Sequence, residues 1–229
     1  MYRTIFFLNI CMLLSCSSNA QDWAQLDRFK SQNEALMNDL EYKNGIVFMG
    51  NSITEGWLND SLNFFDRPGY INRGIGGQTT SQMKIRFWQD VISLQPKAVV
   101  ILAGINDIAQ NTGYIAIPDI AQNIKDMAIL ASNQKIKVFI CSVLPANNFP
   151  WRPQIDPSDK VIELNKLLKQ YASEAGHIYV DYYTPMANDK KGLKEKYTYD
   201  GVHCTIAGYQ AMEKILDGYF SEAFSSNKR

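Results

Sequence analysis

The chain has 229 residues, 46% of them apolar, which suits one domain built around one continuous core. Lysine plus arginine number 23 and aspartate plus glutamate number 23, so no basic excess calls for a nucleic-acid partner. Internal repeats and low-complexity tracts are absent from the sequence.

Residues 1–20 read as an export leader. Arg3 supplies a positive start and Ile5 to Leu14 is apolar except for Asn9, a run too short for a helix that needs about 20 residues to span a bilayer. Two processing sites are open. Leu13-Leu14-Ser15-Cys16 resembles a bacterial lipobox, with Cys16 as the lipidated residue. Ser18-Asn19-Ala20 has the small residues of an ordinary cleavage site, with Gln21 as the mature start. Either exit implies an exported protein, periplasmic or anchored at the outer membrane by lipid, with residues 21–229 as a single domain.

Beyond the leader, Trp23 to Leu40 has helical spacing of apolar residues. Short unbroken apolar runs follow at Ile46 to Met49, Ala98 to Leu102, Lys137 to Val143 and Ile178 to Tyr182, with a weaker one at Tyr70 to Ile75. Such runs are expected of strands buried on both faces. Helical patterns separate them: Ser81 to Leu94, Pro118 to Leu130, Ser158 to Tyr171, and a last helix that Thr205 caps. The alternation predicts an α/β fold, a three-layer α/β/α sandwich around a parallel sheet of about five strands. In such sheets ligands bind beyond the carboxyl ends of the strands.

The residues just after the apolar runs are therefore the informative ones. They are Gly50-Asn51-Ser52, then Gly76-Gly77-Gln78, then Gly104-Ile105-Asn106-Asp107; Asp200-Gly201-Val202-His203 precedes the last helix. A serine hydroxyl becomes a nucleophile when a base takes its proton, and imidazole is the usual base. Beyond the leader only His177 and His203 are available. His177 precedes a strand, at the wrong end of the sheet, which leaves His203. Asp200, three residues earlier, can orient His203, with Asp181 as its rival. Donors for an oxyanion are offered by the glycine-rich turn, by the Asn106 amide and by the N–H of Ser52. Asp107 reads as structural.

These four blocks, in this order, resemble the SGNH (GDSL-like) hydrolases. Asn51 stands where that family usually has Asp, and Cys204 where it often has Pro. The resemblance covers about Ile46 to Phe220 and implies a flavodoxin-like SGNH fold. It implies a serine esterase with Ser52, Asp200 and His203 as catalytic residues and Ser52, Gly77 and Asn106 as the oxyanion hole. Gly76 is the alternative donor to Gly77. The match looks nearest to the platelet-activating-factor acetylhydrolase-like and carbohydrate acetylesterase-like branch, which points to short, acetyl esters. A lysophospholipase or thioesterase with the same site, or a non-catalytic glycan-binding lipoprotein, are the competing functions.

No His, Cys and carboxylate cluster has metal-ligand spacing, so neither metal nor cofactor is expected. The partner expected is a small-molecule or glycan ester, with membrane contact only through a lipid anchor. On the substrate side, the proline-rich stretch Leu144 to Asp159 presents Trp151 and Arg152, and Trp57 follows the nucleophile; all three are candidate substrate contacts. No apolar loop long enough to cover a fatty chain is evident. Cys141 and Cys204 are expected as two free thiols rather than a bridge.

Overall fold

The computed structural model describes residues 22–225 except 38, 40, 41, 43 and 60. The leader, with both of its candidate processing sites, lies outside the described residues.

In chain order the elements are α1 (Lys30–Met37), β1 (Ile46–Gly50), α2 (Ser52–Glu55), β2 (Tyr70–Gly74), α3 (Thr80–Asp90), β3 (Ala98–Leu102), α4 (Ile105–Ile108), α5 (Ile117–Asn133), β4 (Lys137–Cys141), α6 (Ser158–Ala175), β5 (Ile178–Val180), α7 (Tyr183–Met186) and α8 (Ile206–Ser225). The five strands form one sheet of order β2-β1-β3-β4-β5, and all four pairings are parallel. Helices cover both faces, so central strands are buried along their whole length. Every residue of β1 and β3 is buried, which explains why these strands appear as unbroken apolar runs instead of alternating ones.

Helix starts follow local chemistry. Thr79 and Gln82 form a reciprocal capping box at α3. Thr205 Oγ1 accepts the Gly208 N–H at 3.2 Å to start α8. Pro118 sits in the first turn of α5, where its missing N–H costs nothing.

Three elements end sooner than the apolar pattern predicts. The N-terminal pattern contributes only a 3-10 turn at Leu26–Arg28 and the short α1. The carbonyls of Trp23, Ala24 and Leu26 accept side-chain amides of Gln82, Gln78 and Gln89 instead of feeding a helix ladder. The β4 run stops at Cys141 because the Val143 N–H goes to Asn165 Oδ1. The β5 run stops at Val180 because Ser142 Oγ accepts both the Tyr182 and Tyr183 N–H groups.

A buried polar cluster underlies the carboxyl ends of β1 and β2. The Arg86 guanidinium, fully buried, pairs with the equally buried Asp90 at 2.9 Å. It also donates to the carbonyls of Gly50 and Arg73 and to Gln78 Oε1. Asn33 bridges Asp90 and Arg73. Removing Arg86 would strand Asp90 without its main partner, a loss on the order of 3–5 kcal/mol. The cluster thus ties the N-terminal segment to the strand ends that carry the site.

Candidate active site

The strand order reverses direction at β1, which pairs with β2 on one side and β3 on the other. The carboxyl ends on either side of this switch point are the favoured ligand position of an open parallel sheet. Register puts Gly50 beside both Gly74 and Leu102. The segments that follow those residues carry Ser52, the Gly76-Gly77 turn and Asn106.

Ser52 begins α2 immediately after β1. Asn51 is buried and its Oδ1 accepts the Ile53 N–H at 3.1 Å, so it caps the helix that presents Ser52. Gly50 leaves room for this turn: a Cβ there would stand 1.9 Å from Thr54 Oγ1. Ser52 Oγ lies 3.0 Å from His203 Nε2.

His203 and Asp200 come from a loop closed by the bridge between Thr198 and Cys204. Asp200 Oδ2 lies 2.6 Å from His203 Nδ1, while Oδ1 accepts the backbone N–H groups of Val202 and His203 at 2.9 and 2.7 Å. Burial raises the Asp200 pKa, but the bonds from the His203 side chain and from the His203 and Val202 backbones outweigh it. The carboxyl stays below its ordinary range. Donation of Nδ1–H to Asp200 leaves Nε2 as the acceptor facing Ser52.

The other titratable candidates are placed elsewhere. Asp181 accepts the backbone N–H and hydroxyl of Thr184 at the start of α7. His177 packs edge-on against Tyr171 just before β5. Asp107, buried in α4, accepts the Thr80 N–H and hydroxyl and so locks α3 to α4. Burial pushes its pKa up to about 6 against these bonds.

The turn after β2 has one spare donor. Along residues 75–80, Ile75 N–H reaches Gly50 O, Gly76 N–H reaches Glu55 Oε2 at 2.9 Å, Gln78 N–H reaches Ile75 O, Thr79 N–H reaches Gln82 Oε1 and Thr80 N–H reaches Asp107. Gly77 N–H alone in this run has no acceptor among the described residues. Gly77 has φ +75°, a left-handed conformation suited to glycine, and a Cβ there would meet nothing within 4 Å. Gly76 N–H is already engaged, so of the two glycines Gly77 is the one with a free N–H among the described residues. Asn106 Nδ2 donates to Gln78 O at 3.0 Å, and an amide NH₂ keeps a second hydrogen for another acceptor.

Around His203 stand two aromatic rings. Trp151 lies 6.0 Å away, centroid to centroid, and Tyr199 lies 5.9 Å away, nearly parallel to the imidazole. Both are exposed, Tyr199 at 71%. Arg152 sits beside Trp151, part-buried, with no ion pair among the described residues. Tyr199 is not evident from sequence, since a lone Tyr before Asp-x-x-His carries no pattern. Trp57 corrects a sequence expectation. It is 1% exposed, stacked with Phe64 and Tyr209, and its Nε1–H donates to Glu213; it is a core residue with no face for a substrate. Cys141 and Cys204 are free and buried. Burial, with the nearby Asp200 charge, raises the Cys204 thiol to about 12, far from reactive. A cleft of about 760 Å³ at the amino ends of the strands, lined by Trp88, Lys97 and Lys135 among others, contains none of these groups.

Known proteins share this arrangement of elements. The model of the GDSL-like lipase/acylhydrolase family matches residues 48–211. The crystal structure of a GDSL-like lipase from Bacteroides thetaiotaomicron is 44% identical, covers 88% of this chain and 99% of its own, and superposes with a TM-score of 0.84. An acetylxylan esterase of Geobacillus stearothermophilus is 24% identical over 158 residues, 64% of this chain and 69% of that protein. A Bacillus subtilis lipoprotein, YqeF, is 49% identical over 39 residues, 17% of this chain and 16% of its own length.

Proposed function

From a chain that belongs to the GDSL-like lipase/acylhydrolase family, and is a carboxylic ester hydrolase, we infer hydrolysis of short-chain, acetyl esters carried on carbohydrate, through an acyl-enzyme on Ser52. The observation that carries this reading is the relay from Ser52 Oγ to His203 Nε2 at 3.0 Å and from His203 Nδ1 to Asp200 at 2.6 Å.

The steps follow from these contacts. His203 Nε2 takes the hydroxyl proton as Ser52 Oγ attacks the ester carbon, and the carbonyl π pair moves onto oxygen. The oxyanion is met by the N–H groups of Ser52 and Gly77 and by the Asn106 amide, donors already in place before charge develops. His203 then returns its proton to the leaving alkoxide, and the C–O bond to the alcohol breaks. A water, deprotonated by His203, attacks the acyl-Ser52 carbon; as the second oxyanion collapses the bond to Ser52 Oγ breaks, His203 returns the proton to Oγ, and the acid leaves. Asp200 stays ionised throughout and steadies the imidazolium.

Two observations support a sugar-borne acetyl group. Trp151 and Tyr199 offer exposed flat faces beside His203, suited to the C–H-rich face of a pyranose. The acetylxylan esterase relative acts on such a substrate class by its name. The apolar leader and the short match to a lipoprotein support export, with Cys16 as the lipid-bearing residue of one processing route.

An ester panel tests the substrate reading. Rates should be highest on acetyl esters, decline through butyryl and octanoyl, and include release of acetate from acetylated xylan. A kcat/KM that peaks at octanoyl or longer would replace it with a lysophospholipase or thioesterase reading.

A further inference from the structure

We propose that Glu55 is a positioning residue of the oxyanion turn: its carboxylate takes the Gly76 N–H and so leaves the Gly77 N–H as the donor presented beside Ser52. The inference rests on the acyl-enzyme reading given above.

Glu55 is the last residue of α2, three residues after Ser52, so nucleophile and carboxylate share one short rigid element. Its Oε2 accepts the Gly76 N–H at 2.9 Å, and its Oε1 accepts from Arg28 at 3.3 Å. The turn is close to the nucleophile: a Cβ on Gly76 would stand 3.9 Å from Ser52 Cβ and 2.8 Å from Glu55 Oε2. Two adjacent glycines are intrinsically loose, because each loses its large conformational freedom only if something holds it. Asn111 Nδ2 holds the Gly77 carbonyl at 3.1 Å, and the Gln78 side chain is pinned between Arg86 and the Ala24 carbonyl. Glu55 supplies the remaining tie, on the nucleophile side. Without it the Gly76 N–H is an unpaired donor, the Ile75-Gly76 and Gly76-Gly77 peptide planes are both free to rotate, and the Gly77 N–H is no longer held in one orientation. Oxyanion stabilisation depends on donors fixed before charge develops, so such freedom lowers kcat.

Arg28 belongs to the N-terminal segment, as does the Ala24 carbonyl that receives Gln78. That segment precedes the stretch matched by the family model. The turn is therefore tied also to residues that lie before that stretch.

The test compares Glu55→Met, which keeps bulk without an acceptor, with Glu55→Gln, whose amide oxygen can still accept the Gly76 N–H. On p-nitrophenyl acetate we expect Glu55→Met to lose about 10–100-fold in kcat, less than deletion of an oxyanion donor, with KM within about threefold. Glu55→Gln should retain at least a third of wild-type kcat. A methyl trifluoromethyl ketone adds Ser52 Oγ across its carbonyl, with the proton passing to His203 and the oxygen becoming the oxyanion. Its Ki should rise in Glu55→Met by the same factor by which kcat/KM falls. Wild-type kcat in folded Glu55→Met, a loss confined to KM, or an equal loss in Glu55→Gln would each overturn the assignment. Should Glu55→Met not fold, Gly76→Ala serves in its place, since its Cβ displaces the Glu55 carboxylate. The same kcat loss there supports the role and unchanged kcat overturns it. Failure of the acyl-enzyme reading would appear separately, as turnover by Ser52→Ala.

Discussion

The Tyr199 ring lies 12° from parallel with the His203 imidazole, with 5.9 Å between centroids. Tyr199 is largely solvent-exposed, so the face turned away from His203 and the ring edge remain open to a ligand. Trp151 lies 6.0 Å from the same imidazole, so two aromatic rings neighbour His203.

If these rings bind the sugar and not the acetyl group, substrates lacking a sugar should not notice them. We expect Tyr199→Ala and Trp151→Ala to raise KM for acetylated xylo-oligosaccharides about 5–30-fold, the equivalent of about 1–2 kcal/mol per lost stacking surface. Their kcat/KM on p-nitrophenyl acetate should change by less than about threefold. Equal losses on both substrates would show instead that the rings set the posture of His203.

The Asn106 amide is already anchored at Gln78 O, so its second hydrogen is held in place before substrate arrives. Asn106→Ala should lower kcat by about 10²–10³, or about 2.7–4 kcal/mol, and leave KM nearly unchanged, because the donor meets charge that exists chiefly in the transition state. Steady-state kinetics on p-nitrophenyl acetate separate the two parameters. A defect wholly in KM would assign Asn106 to ground-state binding.

Asp107 carries a pH signature. Its folded pKa, raised by burial to about 6, exceeds the ordinary value of 3.8. The native state therefore holds its proton more tightly than the unfolded chain. The stability this contributes is fully present below about pH 3.8 and is lost as pH rises through about 6. A shift of about two pH units corresponds to about 3 kcal/mol. Urea unfolding of wild type and Asp107→Asn between pH 3.5 and 7.5 measures it. The wild-type minus mutant stability should decline with rising pH, most steeply between about pH 4 and 6. A difference that rises with pH would mean that the Thr80 bonds favour the ionised form beyond the cost of burial.

Much of this organisation is legible in the sequence, for identifiable reasons. Strands buried on both faces appear as apolar runs, and all five runs become strands of one parallel sheet. Ser52, Gly77 and Asn106 each follow such a run, so sheet geometry brings their backbones to one end. The Asp200–His203 pair follows no strand, and only its place before a capped last helix points to it. Most of what the sequence leaves unread or misleading depends on contacts distant along the chain. Ser142 Oγ ends β5 from 40 residues away. Trp57 follows Ser52 closely, but the chain leaves α2 for the core, where Phe64 and Tyr209 receive the indole. Glu55 looks like a surface helix residue until Gly76, 21 residues later, donates to it. Tyr199 gains meaning only once the Asp200–His203 loop folds and sets its ring against the imidazole.

The central claim is that Ser52 forms the acyl-enzyme, and turnover of p-nitrophenyl acetate by purified Ser52→Ala tests it most directly. Ser52 is only partly buried and its side chain supports no core packing, so the variant should fold with wild-type circular dichroism and melting temperature. We expect kcat to fall by about 10⁴–10⁶, the loss typical when the nucleophile of a triad is removed. A folded Ser52→Ala protein that keeps kcat within tenfold of wild type would contradict the assignment and require another nucleophile.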